Sequence, residues 1–316
     1  MQRSTTVPPS AETVSAAPAP TRRLNRDRIR KTLVGTRDKN GLIKLIVIYG
    51  LLICIGFIYL YPILYMVSAS FMTLDDLLDS SIQWIPSSFN LDNYRQAGNS
   101  MNYWNSLLQS FLIAGLPTLC NLISCSLTGY GLARYRFRGR GAIIALIILT
   151  FVLPSQITMI PTYSMYANLG ILNSLGAFIA PAILAQGLNA PIFIMIFWQF
   201  FRNVPPALVE AAKIDGAGHF KSFFSISLPT AGPAFITVAL FSFVWYWNES
   251  YLTELYVHGV YGQSDWTTLV IQLDNFAANY SSYATTATNA ATNLNESINM
   301  AGTLLSILPL MLLYFV

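Results

Sequence analysis

Long apolar runs dominate the chain, and they predict helices that cross a membrane. About 20 consecutive apolar residues are needed to span the hydrocarbon of a bilayer as an α-helix. Pro154 and Pro161 interrupt or end the third such run, and Pro181 and Pro191 blur the limits of the fourth. The pattern therefore predicts an all-α polytopic membrane bundle of six transmembrane helices. The predicted spans are residues 42–70, 106–132, 142–161, 177–201, 229–257 and 298–316.

The composition excludes an ordinary soluble enzyme. Of the 316 residues, 54% are hydrophobic and only 10% are charged, whereas soluble domains carry about 25% charged residues. The three cysteines, Cys54, Cys120 and Cys125, all lie within apolar runs. Free thiols in such places behave as small hydrophobic side chains, so the cysteines do not predict a disulfide framework.

The basic residues orient the predicted spans. Cytoplasmic connections of membrane proteins carry an excess of Lys and Arg. Of the 18 lysines and arginines, all but Arg95 fall before or at the start of the first span, or in the connections after the second and fourth spans. These regions lie on one side of a six-span chain. We therefore expect both termini and the connection 202–228 to be cytoplasmic.

The first 40 residues differ from the membrane domain that we expect at 41–316. Residues 1–20 are rich in Ser, Thr, Pro and Ala, a composition typical of disorder, and residues 22–39 are basic. Such a run can bind nucleic acid, but a cytoplasmic flank that meets anionic membrane lipid explains it with fewer assumptions. The first apolar run is too long for a cleaved signal peptide. The chain stops at Val316 inside the last apolar run, so we expect further residues beyond it.

The connection 202–228 contains a short charged helical segment between two long apolar runs. Glu210 suits the N-terminal part of a helix, and Gly216 can take the positive φ angle that ends it. A second short helix is predicted over residues 218–224, with three phenylalanines on its apolar face. These are Phe220, Phe223 and Phe224.

This segment has two interpretations. An amphipathic connector that lies on the bilayer surface would explain the phenylalanines. It would not explain the small side chains of Ala211, Ala212 and Gly216, which allow another helix to approach closely. The residues therefore favour a docking surface for a second protein.

The segment resembles the EAA loop of ABC-importer membrane subunits. The resemblance rests on Glu210-Ala211-Ala212 followed at fixed spacing by Gly216, Ile226 and Leu228-Pro229. The motif Asp215-Gly216-Ala217 is similar to the carbohydrate-uptake branch, such as the second membrane subunit of maltose importers. The resemblance covers most of the chain from about residue 42. Further similar stretches are Tyr130–Gly139, Leu153-Pro154 with Ile160-Pro161, Leu169–Asn173 and Trp247-Asn248.

This resemblance implies a permease subunit of an ATP-driven importer in a prokaryotic inner or plasma membrane. In that family the short helix of the loop seats in a cleft of a cytoplasmic ATPase and transmits its closure. The implied partners are two copies of that ATPase, which hold ATP and Mg, a second homologous permease subunit and an extracytoplasmic solute-binding protein. By resemblance, the ATPase-coupling residues are Glu210, Ala211, Ala212, Asp215, Gly216, Ala217 and Phe220.

Groups for catalysis are scarce in the sequence. The phosphate cradle Gly-x-x-x-x-Gly-Lys-Ser/Thr is absent, so we expect a subunit that is not an enzyme, binds no cofactor and leaves ATP hydrolysis to a partner. His219 and His258 are the only histidines, and no Cys/His cluster predicts a metal site.

The charged residues also bear on the type of transporter. Glu249 and Glu254 are the only acids in the spans and lie near the outer end of the fifth, whereas a proton-coupled carrier usually places an acid at mid-membrane. This favours an ATP-driven importer. The alternatives are a secondary carrier for an uncharged solute and a membrane scaffold that docks a cytoplasmic partner.

Uncharged polar and aromatic side chains within the spans suit a sugar or oligosaccharide, which needs hydrogen bonds to hydroxyls and flat faces for stacking. Hydrogen bonds between helices are the alternative explanation for the amides, and anchoring at the lipid interface is the alternative for the tryptophan. The loops 72–103 and 258–297 are candidate landing surfaces for a binding protein. The candidate substrate-path residues are Asn121, Gln156, Asn189, Trp245 and Asn248.

Overall fold

The computed structural model describes residues 35–36, 39–205, 207–208, 210, 214, 216–259, 265–288 and 296–315. The chain forms two compact units, Met1–Tyr65 and Met66–Val316. In the first unit, strands β1 (Gly35–Thr36) and β2 (Lys39–Asn40) pair antiparallel. Helix α1 (Leu42–Ser70) follows and continues into the second unit. Most of the predicted tail 1–40 lies outside the described residues.

The second unit is helical throughout its described residues, apart from the connections. Two π-helical turns, π1 (Phe223–Ser227) and π2 (Glu254–His258), extend neighbouring helices. The remaining helices are α2 (Leu74–Leu78), α3 (Asp92–Ser100), α4 (Tyr103–Arg134), α5 (Arg140–Val152), α6 (Ser155–Leu169), α7 (Gly176–Ile183), α8 (Ala190–Asn203), α9 (His219–Ser222), α10 (Leu228–Thr230), α11 (Gly232–Asn248), α12 (Tyr251–Thr253), α13 (Leu269–Asp274), α14 (Phe276–Thr288) and α15 (Glu296–Tyr314).

The all-α membrane fold is confirmed, but the count of six spans stays a prediction. Among the described residues, three helices are long and apolar enough to cross a membrane, namely α1, α4 and α15. The number rises to five if two bent helix pairs each form one span. In the first pair the axis turns by 101° between Arg140–Val152 and Gln156–Leu169. The break follows Pro154, which is the extended N-cap residue of α6 and cannot donate a backbone hydrogen bond.

The fourth and fifth predicted spans are not continuous helices. The fourth is divided into α7 and α8, because Ala185 and Asn189 adopt positive φ angles of 57° and 53°. The freed backbone groups find partners inside the protein, as irregular backbone at membrane depth requires. Gln186 N donates to Pro181 O at 2.8 Å, and Leu188 N donates to the Tyr246 hydroxyl at 3.0 Å. The fifth ends as α11 at Asn248 and resumes at α12.

Helix α4 is the centre of the second unit. It packs along α8, α11 and α7, and its buried residues are spread along most of its length, from Ser106 to Leu132. Gly129 marks its closest approach to α8, since a Cβ added there would lie 2.6 Å from Phe197 Cβ. Small residues of this kind allow membrane helices to pack closely. Residues near the two ends of α4 belong to separate hydrophobic clusters.

The described middle part of the connection 258–297, residues 265–288, is largely helical. It contains α13 and α14, and it buries Leu269, Ile271, Phe276 and Tyr280. The Tyr280 hydroxyl donates to Gln96 Oε1 on α3 at 2.8 Å. These helices therefore pack against the connection between α1 and α4. The sequence does not predict this packing, because the buried residues are spaced among many Asn, Ser and Thr residues.

Asp76 stabilises the connection between α1 and α4 as a buried carboxylate. It accepts hydrogen bonds from the Ser87 hydroxyl and, at 3.2 Å, from Thr73 N at the N-terminus of α2. The Ser87 bond above all holds the pKa of Asp76 below its ordinary value of 3.8. Because the folded-state pKa is lowered, this stabilisation is present above the unfolded value and is lost as pH falls through the lowered one.

We expect acid to open this connection in the wild-type chain. Amide hydrogen-exchange protection of residues 73–87 should be high at pH 5 and fall below pH 3.8. Asp76→Asn, which cannot ionise, should show reduced protection already at pH 5 and little further change in acid. Equal protection of the two chains at pH 5 would contradict this role for the carboxylate.

Candidate functional site

The predicted coupling residues lie in the connection 202–228, which the structure describes in part. We call residues 202–228 the coupling segment, after their predicted role. Ala211, Ala212 and Asp215 lie outside the described residues. Glu210 is helical and exposed, as are Leu208 and Ile214. Gly216 adopts a φ angle of +78°, which agrees with its predicted role in ending a helix.

Several apolar side chains of this segment are exposed, beside the charged Glu210 and Lys221. The side chain of Ile214 is 87% exposed and that of Phe220 is 75% exposed. Leu208 and Phe224 are also exposed. Exposed apolar side chains mark candidate interaction sites, so these four residues are candidates for contact with a partner. We call them the outer face.

The second short helix is correct in position but wrong in its predicted face. Residues His219–Ser222 form α9 and run directly into π1. Phe220 and Phe224 are exposed, but Phe223 is only 3% exposed and packs inward. The three phenylalanines therefore do not share one face.

An aromatic base holds the segment to the bundle. The Phe223 ring lies 5.0 Å from Tyr130 of α4, centroid to centroid, and 6.1 Å from Phe201 of α8. Tyr130 and Phe201 meet edge to face at 5.4 Å. Such aromatic pairs add about 0.5–1.5 kcal/mol each beyond the area that they bury. All three residues are buried. The base is therefore packed into the bundle, whereas the side chains of the outer face are exposed.

Two polar contacts attach the segment to Arg134, the last residue of α4, and to Tyr135, which follows it. An Arg134 guanidinium nitrogen donates to Val204 O at 2.9 Å, at the beginning of the segment. The Tyr135 hydroxyl and His219 Nδ1 share a hydrogen bond at 2.9 Å, at the start of α9. The rings of Tyr135 and His219 also meet edge to face at 5.4 Å. His219 is exposed, as expected for a surface residue.

The structure brings one predicted substrate-path residue into a buried polar cluster. Asn121 of α4 is fully buried and donates from Nδ2 to Ser242 Oγ of α11 at 3.3 Å. Thr118 donates to the same Ser242 oxygen at 3.2 Å. Tyr246, one helical turn further along α11, accepts from Leu188 N in the break between α7 and α8. We call Thr118, Asn121, Ser242, Tyr246 and Gly187 the polar node.

The other predicted path residues lie outside the polar node. Gln156 is exposed on α6, and Asn248 is exposed and donates to Val244 O of its own helix. Trp245 is half-buried with its ring 5.3 Å from that of Phe193. Asn189 is the N-cap of α8 and lies at the end of the break that contains the node's glycine.

Sequence reasoning missed Thr118, Ser242 and Gly187. Ser242 and Tyr246 are four residues apart and so lie on one helix face, which is a signal that could have paired them. Gly187 gave no such signal.

The polar node leaves no room for a side chain at Gly187. A Cβ there would lie 2.5 Å from Asn121 Oδ1 and 2.6 Å from the Tyr246 hydroxyl oxygen.

We expect Gly187→Ala to lower the free energy of unfolding by about 1–3 kcal/mol, the usual cost of overpacking. Gly115→Ala is the matched control, because its Cβ would meet nothing within 4 Å. Equal thermal unfolding midpoints for the two variants in detergent would contradict the tight node.

Comparisons with known proteins agree with this architecture. The family described as "Binding-protein-dependent transport system inner membrane component" matches residues 126–316. The chain is 34% identical to "Polygalacturonan/rhamnogalacturonan transport system permease protein YtcP" of Bacillus subtilis, over 70% of this chain and 74% of that protein. It is 31% identical to "Arabinooligosaccharides transport system permease protein AraQ" of Halalkalibacterium halodurans, over 82% of this chain and 87% of that protein.

A solved structure shares the fold. It is described as "Crystal structure of a bacterial ABC transporter involved in the import of the acidic polysaccharide alginate". The similarity has a TM-score of 0.73 at 21% sequence identity and covers 94% of this chain and 97% of that one. The matched family includes both the coupling segment and most of the polar node. The chain therefore belongs to the binding-protein-dependent transport system inner membrane components, and it is a membrane permease subunit of the ABC-importer type.

Proposed function

We propose that this permease subunit carries a sugar or oligosaccharide into the cytoplasm, driven by a separate ATPase that docks on the segment 205–224. Two relatives are named as permeases for polygalacturonan or rhamnogalacturonan and for arabinooligosaccharides. A third is named as part of a diacetylchitobiose uptake system in Streptomyces coelicolor. These names support a carbohydrate cargo for this chain.

The observation that carries the proposal is the contrast between the two sides of the segment. Its base is an aromatic cluster with every ring buried, whereas its outer face exposes Ile214 and Phe220 almost completely. Contact with lipid would explain why Ile214 and Phe220 are exposed, but it would not explain the packed aromatic base beneath them. A rigid base together with an exposed apolar face suits a surface that receives force from a folded partner.

The proposed assembly has four further components. Two copies of the ATPase would hold ATP and Mg, a second homologous permease would complete the pathway, and an extracytoplasmic binding protein would deliver the cargo. The coupling contact would use Glu210, Gly216, Ala217 and Phe220, together with the three motif residues outside the described part of the chain. Both termini and the segment would face the cytoplasm. The division into a tail, 1–40, and a membrane domain, 41–316, stays a prediction.

The proposed transport cycle follows from two-state linkage. A ligand shifts a conformational equilibrium only as far as it favours one state over the other. ATP binding would close the ATPases, draw the docked segments together and favour an outward-facing bundle. Cargo would then enter from the binding protein, and hydrolysis would restore the inward-facing state.

We infer that the polar node borders the cargo pathway once the bundle opens, because in this structure its side chains are buried and leave no room for cargo. Its amide and hydroxyl groups are uncharged, and they lie where α7 and α8 leave backbone groups free of helical hydrogen bonds. Uncharged donors and acceptors match sugar hydroxyls. Asn121 is therefore the strongest of the path candidates, and Gln156, Asn189, Trp245 and Asn248 stay proposals.

Reconstituted transport tests this function. The chain would be purified with its co-expressed ATPase and second permease, placed in liposomes, and supplied with the binding protein and a labelled oligosaccharide. We expect uptake that requires Mg-ATP and that survives a protonophore. Uptake without ATP that a protonophore abolishes would favour a secondary carrier. Purification without any ATPase, and without uptake, would favour a scaffold.

A further inference from the structure

We propose that the cytoplasmic end of α4, acting through Tyr135, carries the movement of the coupling segment into the bundle. Tyr135 would be a positioning residue: it touches neither cargo nor ATP and acts through His219. This inference rests on the proposed function, because it concerns how ATPase movement reaches the polar node.

The route along the chain itself is interrupted. After α9, π1 and α10, the helix axis turns by 79° into α11. The turn centres on Ala231, and Pro233 follows in the first turn of α11 without a backbone donor. Displacement of α9 along its own axis is therefore not passed directly along the axis of α11.

The lateral route to α4 is continuous. Within the six positions from Tyr130 to Tyr135, three residues contact the segment at its beginning, at α9 and at π1. Arg134 binds Val204 O, Tyr135 binds His219, and Tyr130 packs on Phe223. The coupling segment is thus attached at these three points to the same end of one helix.

Helix α4 then leads to the polar node without a break. Asn121 lies 14 positions before Tyr135, which is about 21 Å along a helix at 1.5 Å per residue. Gly129 seats α4 directly on the backbone of α8 between these points. A shift of α4 would therefore act on the bond between Asn121 and Ser242, and on the break where Leu188 meets Tyr246.

Of the residues that join α4 to the coupling segment, Tyr135 is the one whose side chain can be removed without exposing the buried core. Tyr130 is only 6% exposed and joins the aromatic base, whereas Tyr135 is 37% exposed and lies just past the end of α4. Its bond to His219 joins residues 84 positions apart in the chain. Loss of this contact should weaken transmission while leaving the fold and the outer face in place.

The test measures oligosaccharide transported per ATP hydrolysed in the reconstituted complex. Tyr135→Phe keeps the ring but removes the hydroxyl, so we expect the ratio to fall about fivefold, the worth of one net hydrogen bond. Tyr135→Ala also loses the ring contacts with His219 and Tyr130, and we expect a fall of about 30-fold. Phe137→Ala, an exposed ring in the same connection, is the control and should match the wild type.

Further readouts separate transmission from folding. ATPase co-purification should be unchanged in both Tyr135 variants, and their unfolding midpoints should fall by only a few degrees. His219→Ala should not worsen Tyr135→Ala, since contacting residues are non-additive. A wild-type ratio in Tyr135→Ala would overturn the inference, as would parallel loss of co-purification and transport. A wild-type chain that fails to bind the ATPase at all would instead overturn the proposed function.

Discussion

Gly216→Val is expected to abolish most uptake. An added Cβ at this position meets no atom of the described residues within 4 Å, but the backbone φ angle is +78°. A β-branched residue is a genuine outlier there, and left-handed backbone costs an L-residue at least about 1–2 kcal/mol. A penalty of about 2 kcal/mol corresponds to about 30-fold lower occupancy of this turn. The orientation of Ile214 relative to Phe220 would change with it.

The control at the same position is Gly216→Asn. Asparagine tolerates left-handed backbone better than other residues with a Cβ, so this variant should keep most of the uptake. Initial uptake rates in proteoliposomes, together with the amount of ATPase that co-purifies, check both variants. Uptake at the wild-type rate in Gly216→Val would show that the geometry of this turn does not matter for coupling.

Gly129→Ala should produce the largest loss of stability in the bundle. The added Cβ would lie 2.6 Å from Phe197 Cβ, 2.9 Å from Trp198 N and 3.1 Å from Ile194 O. Two of these atoms belong to the backbone of α8, so no side-chain rotation relieves the overlap. The helices α4 and α8 must separate, and we expect a cost of about 3 kcal/mol or more.

Gly131→Ala is the matched control on the same helix. A Cβ there would meet nothing within 4 Å, and alanine is favoured over glycine in a helix by about 0.5–1 kcal/mol. The midpoint of thermal unfolding in detergent should therefore fall for Gly129→Ala and stay level or rise for Gly131→Ala. A similar shift in both variants would mean that the α4–α8 contact is looser than the structure places it.

The hydrophobic runs predicted the long helices well, since a run such as 42–70 has few structural options in a membrane. They failed where tertiary contacts replace helical hydrogen bonds. The break at 184–189 depends on the Tyr246 hydroxyl, which captures Leu188 N from another helix. No residue within that stretch indicates the contact. Pro181 and Pro191 on either side showed only that the helix limits there were uncertain.

The coupling segment was placed by its motif, and Gly216 adopts the backbone angle that the sequence predicted. The motif could not show which phenylalanine turns inward. Phe223 is buried because Tyr130 and Phe201 approach it from two other helices, and π1 alters the helical spacing there. The bond between Tyr135 and His219 was equally invisible, because it joins distant parts of the chain.

Cross-linking from Phe220 tests the central claim most directly. Phe220→Cys would be made in a chain whose Cys54, Cys120 and Cys125 are replaced by Ala, and the complex would be treated with a short bifunctional reagent with and without ATP. We expect a covalent adduct with the ATPase subunit whose yield changes when ATP binds. Labelling of Phe220→Cys by a membrane-impermeant thiol reagent from the extracytoplasmic side, with no adduct to the ATPase, would contradict the account.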